Sequence, residues 1–261
     1  MSKQNRARRY AIVSGKGGVG KTMITANLAA ALSRSGDRTL VLDADLGLAN
    51  LDVLLGVAAP GSLLDVLSGR LAIRDAVVHT RAGFDLLPAG SGAFETTLLT
   101  PDLACNLESL LRDIESGYDA ILFDAGAGIG EVVLFFARIA DEVVLVVTPE
   151  PTSLMDAYAT VKVLALRFGC TTFHLVVNQA DPRHPERSGL NVANHLQQVV
   201  TKFIPAGEGP PIRLHLAGSL PTDPAVRKAI SRQQLLMESE PNAPVACLFP
   251  RLAESLKSFV P

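Results

Sequence analysis

Residues 15–22 read GKGGVGKT and satisfy the spacing G-x-x-x-x-G-K-[ST]. Gly15, Gly17, Gly18 and Gly20 carry no Cβ. Main chain there can wrap closely and aim successive N–H groups at one anion. Lys21 offers a point charge for the β- and γ-phosphates of a nucleotide, and Thr22 a hydroxyl oxygen of the hard type that Mg²⁺ accepts. Val19 and Met23 lie within and just after this loop. Two acidic segments suit the same chemistry. Residues 39–52, TLVLDADLGLANLD, end an apolar run at Asp43 and place Asp45 two positions on. Residues 120–130, AILFDAGAGIG, end an apolar run at Asp124. Carboxylates beside a magnesium-bound triphosphate can hold the metal and orient a water. Asp45 is the candidate for the water, Asp43 and Asp124 for the metal. Gly126, Gly128 and Gly130 form a flexible stretch suited to sensing the terminal phosphate, and Asn50 and Asp52 flank the first acidic segment.

These groups need a scaffold that gathers them. Apolar runs at 10–14, 39–43, 84–88, 120–124, 142–148, 173–178 and 213–216 read as strands buried on both faces. Helical patterns fall between them at 21–35, 103–115, 152–168, 190–203, 224–233 and 246–258, several ending at a glycine. The alternation predicts an α/β fold: a doubly wound, mostly parallel sheet with helices on both faces. The phosphate loop sits between the first strand and the first helix, where a helix N-terminus adds its dipole to the anion site. Stretches 181–188 and 205–211 read as loops too short to divide domains. We expect a flexible basic tail over residues 1–9, with Lys3, Arg6, Arg8 and Arg9 solvated, and one domain over 10–261.

Composition excludes other classes. The 261 residues carry 24 Lys+Arg against 26 Asp+Glu, so a net basic nucleic-acid binder is not indicated. A hydrophobic share of 48% is too high for a disordered chain. Mean hydropathy is +0.28, yet the most apolar region, 132–147, is broken by Arg138, Asp141 and Glu142, so no membrane span is expected. Cys105, Cys170 and Cys247 show no disulfide or zinc spacing and read as small apolar fillers in a reducing cytoplasm. The five histidines show no ligand spacing. Arg227, Lys228 and Arg232 read as a solvated face rather than a DNA contact.

Lys16 follows the first glycine, where an ordinary phosphate loop requires no cation. GKGGVGKT with that early lysine resembles the deviant Walker A signature of the MinD/ParA-type ATPases. DADLGLANLDVLLG (43–56), DAGAGIG (124–130), PEPTSLMDAYATVKVL (149–164), VVNQADP (176–182) and LPTDPAVRKAISRQ (220–233) resemble the FleN/FlhG branch. The resemblance implies an ATP-dependent homodimer in which Lys16 reaches the partner's nucleotide, Lys21 binds phosphate, Asp45 orients water, and Asn178, Pro221 and Asp223 frame adenine. The lysine of the guanine-reading N-K-x-D element is absent from Asn178–Gln179–Ala180–Asp181, which agrees with ATP. The resemblance further implies ATP hydrolysis with Mg²⁺, and control of flagellar number or placement through a transcription activator or a signal-recognition-type GTPase. Septum positioning, cargo partitioning and nucleotide-dependent binding with little turnover stay open as alternatives. Met23 departs from the family, replacing a residue that offers a side-chain contact to the α-phosphate. The N-terminal GTPase-stimulating element is missing from MSKQNRARRY. The stripe Leu248, Leu252, Leu256 and Phe259 reads as a core-docked final helix, with peripheral membrane contact as the alternative.

Overall fold

Strands covered on both faces need continuous apolar side chains, and helices above and below must supply that cover. The computed structural model, which describes residues 6–45, 51–90, 99–204 and 210–259, realises this arrangement. The chain runs β1 (Arg8–Ser14), α1 (Lys21–Arg34), β2 (Thr39–Ala44), α2 (Leu51–Leu55), α3 (Leu63–Leu67), α4 (Ile73–Ala76), β3 (Val78–His79) and β4 (Asp85–Leu87). It continues through α5 (Pro101–Glu115), β5 (Ala120–Ala127), α6 (Glu131–Ile139), β6 (Glu142–Val147), α7 (Pro151–Phe168), β7 (Thr172–Ala180) and α8 (Pro185–Phe203). β8 (Arg213–Pro221), α9 (Pro224–Ser231), α10 (Leu236–Ser239) and α11 (Phe249–Ser258) complete it.

The strands form one sheet in the order β3-β4-β2-β5-β1-β6-β7-β8. Every pair is parallel except β3 with β4. Alternate residues of each strand feed opposite cores, as the two-residue side-chain period demands. Ala11, Val13, Leu40, Leu42, Ile121 and Phe123 pack on the side covered by α5 to α8. Tyr10, Ile12, Val41, Leu122 and Val144 pack under α1, α10 and α11. Local signals set the helix limits. Thr100 caps α5 by accepting from the Leu103 amide at 3.3 Å, and Gly169 ends α7 at φ +69°.

All seven expected strands are present, and the edge strand β3 was not expected. α6 was missed because its apolar residues run on into those of β6, which leaves no periodic break. The expected loop 181–188 is helical from Pro185, a proline at the first helical turn where its missing N–H costs nothing. Most of loop 205–211 lies outside the described residues.

The expected solvated tail is corrected at its end. β1 begins at Arg8; Arg9 is buried and Arg8 is half-buried. Arg8 pairs with the buried Glu142, and Arg9 with Glu115. Arg6 reaches Asp141 at 2.7 Å; Lys3 lies outside the described residues. Partners 106 to 135 residues away supply the acid that makes this basic stretch fold. The cysteine expectation also fails: Cys105 and Cys247 are exposed and Cys170 is half-buried, because the first two occupy outward positions on helical segments. The final stripe is core-docked as expected, with Leu252 and Leu256 buried against β8 and α1. Among the described residues, no helix is long and apolar enough to cross a membrane.

Candidate functional site

The site forms at the carboxyl ends of the parallel strands, around β1, the strand from which the chain first winds one way and later the other. Ser14 ends β1. Its hydroxyl donates to the Lys16 carbonyl at 2.8 Å, and its own carbonyl accepts from the Gly128 amide at 2.8 Å. That second bond ties the glycine stretch after β5 to the phosphate loop. Gly18 and Gly20 adopt φ of +79° and +94°, the left-handed region open to glycine. Gly20 immediately precedes α1 and brings no capping side chain, so the first-turn N–H groups are left for an anion.

Two close approaches hold the loop from behind. A Cβ on Gly15 would stand 2.2 Å from the main-chain carbon of Asp156 in α7. A Cβ on Gly20 would stand 2.4 Å from Nδ2 of Asn178, the same nitrogen that donates to the Val19 carbonyl at 2.7 Å. Val19 and Met23 point into the core beneath α1, and Met23 contributes no polar atom to the site.

Lys21 is buried, and burial lowers its pKa while Asp124 and Asp45 pull it back up. Asp124 is fully buried, and that burial pushes its carboxyl up to about 6. The hydroxyls of Thr22 and Thr25 and the charge of Lys21 oppose the shift, while Asp45 adds to it. Asp43 lies in register with Asp124 on the neighbouring strand. Its Oδ1 accepts from the Asp45 amide at 3.1 Å and its Oδ2 from the Leu51 amide at 3.3 Å. Asp43 thus braces both ends of segment 46–50, which lies outside the described residues along with Asn50. The Asp45 carboxylate crosses Gly126, where an added Cβ would meet its Cγ at 3.5 Å. Asp52 stands in the first turn of α2 and accepts from the next amide, Val53, at 2.8 Å.

The residues present fit a magnesium nucleotide. A cradle of left-handed glycines opens on a helix start, and the Thr22 hydroxyl and the Asp124 carboxylate lie near Lys21, the hydroxyl and the ammonium both acting electrostatically on the carboxylate. Toward β7 and β8 the wall is different. Asn178 lies near the end of β7 and Pro221 ends the neighbouring β8, at an irregularity where Gln179 takes φ +55°. Asp223 spends a carboxylate oxygen on capping α9, at 2.9 Å from the Ala225 amide.

Lys16 points away from these carboxylates. Its ammonium meets Glu150 Oε2 at 3.0 Å and Thr152 Oγ1 at 3.2 Å, at the head of α7. The sequence offered no catalytic or ligand-binding role for Thr25, Glu150 or Thr152. Thr25 was legible only as the residue one helical turn after Thr22. Glu150 and Thr152 carry no local signal, since their partner is 134 and 136 positions away. Lys228 and Arg232 both face Glu240, which leaves little of the expected basic face for a phosphate backbone.

Comparison with known proteins agrees with this geometry. A family model described as an AAA domain matches residues 7–166, the stretch that holds the phosphate loop and both carboxylate segments. The antiactivator FleN of Pseudomonas aeruginosa is 39% identical over 249 residues, covering 95% of this chain and 86% of that protein. The flagellum site-determining protein YlxH of Helicobacter pylori is 33% identical over 235 residues, covering 89% of this chain and 76% of that one. A solved structure of the septum site-determining protein MinD from Pyrococcus horikoshii, complexed with Mg-ADP, superposes with a TM-score of 0.72 at 26% identity, covering 97% of this chain and 96% of that one.

Proposed function

Since the chain belongs to the MinD/ParA family of P-loop ATPases and stands near its FleN/FlhG members, we propose that it is an ATP-driven switch which pairs with a second copy of itself and releases it on hydrolysis. The observation that carries this reading is the cradle of left-handed glycines at the head of α1, with Asp45 and Asp124 near the ends of the neighbouring strands β2 and β5.

The sheet order supports one direction for the nucleotide. β5 and β2, with their aspartates, lie on one side of β1; β6, β7 and β8 lie on the other. The terminal phosphate therefore points toward Asp45 and Asp124, and the base toward Asn178, Pro221 and Asp223. Main-chain N–H groups of residues 15–22 and the ammonium of Lys21 take the phosphate charge. Thr22 and Asp124 would hold magnesium, which when bound would neutralise phosphate charge. Asp43 acts behind them as the brace of the Asp45 segment. Asp45 orients the attacking water. Lys16 exchanges Glu150 and Thr152 for the partner's nucleotide, a change open to it because its side chain is 40% exposed.

By likeness to FleN and YlxH, the ATP-bound pair acts on flagellar number or placement through a protein partner, either a transcription activator or a signal-recognition-type GTPase. We place the protein in the cytoplasm, free or at the inner face of the membrane, and the chain from Arg8 onward in one domain. Phosphate release assays test the enzyme. Asp45→Ala is expected to lower turnover by at least about 100-fold, since orienting the water belongs to the transition state, while ATP still binds. An unchanged rate would refute the assignment.

A further inference from the structure

Thr25 is fully buried in α1, and its hydroxyl stands 2.9 Å from Oδ1 of Asp124 and 3.0 Å from the Lys21 carbonyl. Both neighbours are acceptors, and a hydroxyl has one proton to give. A threonine that needed only local satisfaction would use the carbonyl four residues back, which is the ordinary bond within a helix. Here the side chain also spans to a carboxylate 99 positions away on β5. Thr22, three residues earlier on the same helix face, lies close enough to help lower the pKa of the same carboxylate. Asp124 is thus hydrogen-bonded to α1 through Thr25, with the Thr22 hydroxyl nearby.

The two hydroxyls have different surroundings. Thr22 belongs to the phosphate loop and faces the nucleotide side. Thr25 has no exposure to solvent and lies one turn deeper. Were a cation held by Thr22 and Asp124, the Thr22 oxygen would be engaged with it, and Thr25 would remain the hydroxyl donor to Asp124. We propose that Thr25 is a positioning residue: it holds Oδ1 of Asp124 so that the other oxygen stays aimed at the cation beside Thr22. This rests on the reading of Thr22 and Asp124 as the magnesium side of the nucleotide site. Groups that orient a ligand of this kind typically change metal affinity by about 10- to 100-fold when removed.

The test is calorimetric affinity for ADP on the full chain, with magnesium and with EDTA, for wild type, Thr25→Val and Thr25→Ser. Thermal midpoints confirm that each variant is folded. Thr25→Val, which keeps the shape and loses the hydroxyl, is expected to lose about tenfold or more of the magnesium-dependent tightening, with its EDTA affinity within about twofold of wild type. Thr25→Ser is expected to restore the tightening. Full tightening in Thr25→Val overturns the proposal. So does an equal loss with and without magnesium, the mark of a role in packing alone. Failure of the underlying reading looks different: wild type itself would then bind ADP equally well with magnesium and with EDTA.

Discussion

Gly15→Ala puts the fit between the phosphate loop and α7 to a direct test. The added Cβ would stand 2.2 Å from the carbon and 2.3 Å from the oxygen of the Asp156 main-chain carbonyl. No rotamer relieves a clash with backbone, so either the loop or α7 must move by about 1 Å to restore van der Waals contact. Overpacking of this kind costs about 1–3 kcal/mol. For a chain of this size each kcal/mol lowers the thermal midpoint by about 2–4 °C, which gives a fall of about 2–12 °C. A shift of about 1 Å in groups that position a reacting phosphate costs on the order of 100-fold in turnover. Gly17→Ala is the matched control in the same loop. Its Cβ would find only the Ala127 Cβ at 4.0 Å, an ordinary contact. The loss of chain freedom in the unfolded state should leave that variant as stable as wild type or better by about 0.4–1 kcal/mol. Scanning calorimetry and ADP titration on both variants give the comparison. Equal midpoints and equal affinities for Gly15→Ala and Gly17→Ala would refute the claim that α7 clamps the loop.

Other consequences can be checked separately. Lys16→Ala should abolish an ATP-dependent dimer seen by light scattering in an Asp45→Ala background, whereas Glu150→Gln should preserve it; a dimer that survives Lys16→Ala removes the lysine from the interface. Glu142 is buried, pairs with the half-buried Arg8 and lies 2.7 Å from the buried His174 ring, so Glu142→Ala leaves that ring nitrogen without its partner and should cost about 1–3 kcal/mol in urea unfolding; a loss below about 0.5 kcal/mol would show that solvent replaces the carboxylate. The Arg38 guanidinium and amide hold Asp119 down to about 2. Because that pKa is depressed, the stabilisation is present above the ordinary carboxylate value near 4 and is lost as pH falls through about 2. The pair is exposed and solvent-screened, so Asp119→Asn should cost less than about 1 kcal/mol at pH 7, with the difference from wild type vanishing below about pH 2; a difference that persists in acid would place the effect elsewhere.

What could be read without coordinates was local or periodic. The phosphate loop is contiguous in the chain, and its glycines, Lys21 and Thr22 announce their chemistry by spacing. Strands buried on both faces appear as unbroken apolar runs, so the parallel sheet and its order of appearance were legible. Asp43, Asp45 and Asp124 were legible because each ends or follows such a run, where doubly wound folds place ligands. The sequence assigned Asp45 to the water and Asp43 and Asp124 to the metal, but only the fold shows that Asp43 stands beside Asp124 with two amides bonded to its oxygens. Tertiary packing alone brought Asn178 to Val19, Thr25 to Asp124 and Lys16 to Glu150, and it turned Arg8 and Arg9 from a tail into strand. The physical reason is common to all of these. Hydrogen bonds and ion pairs act over a few ångströms, and their partners here lie between 99 and 159 positions apart, a separation that only the folded sheet removes.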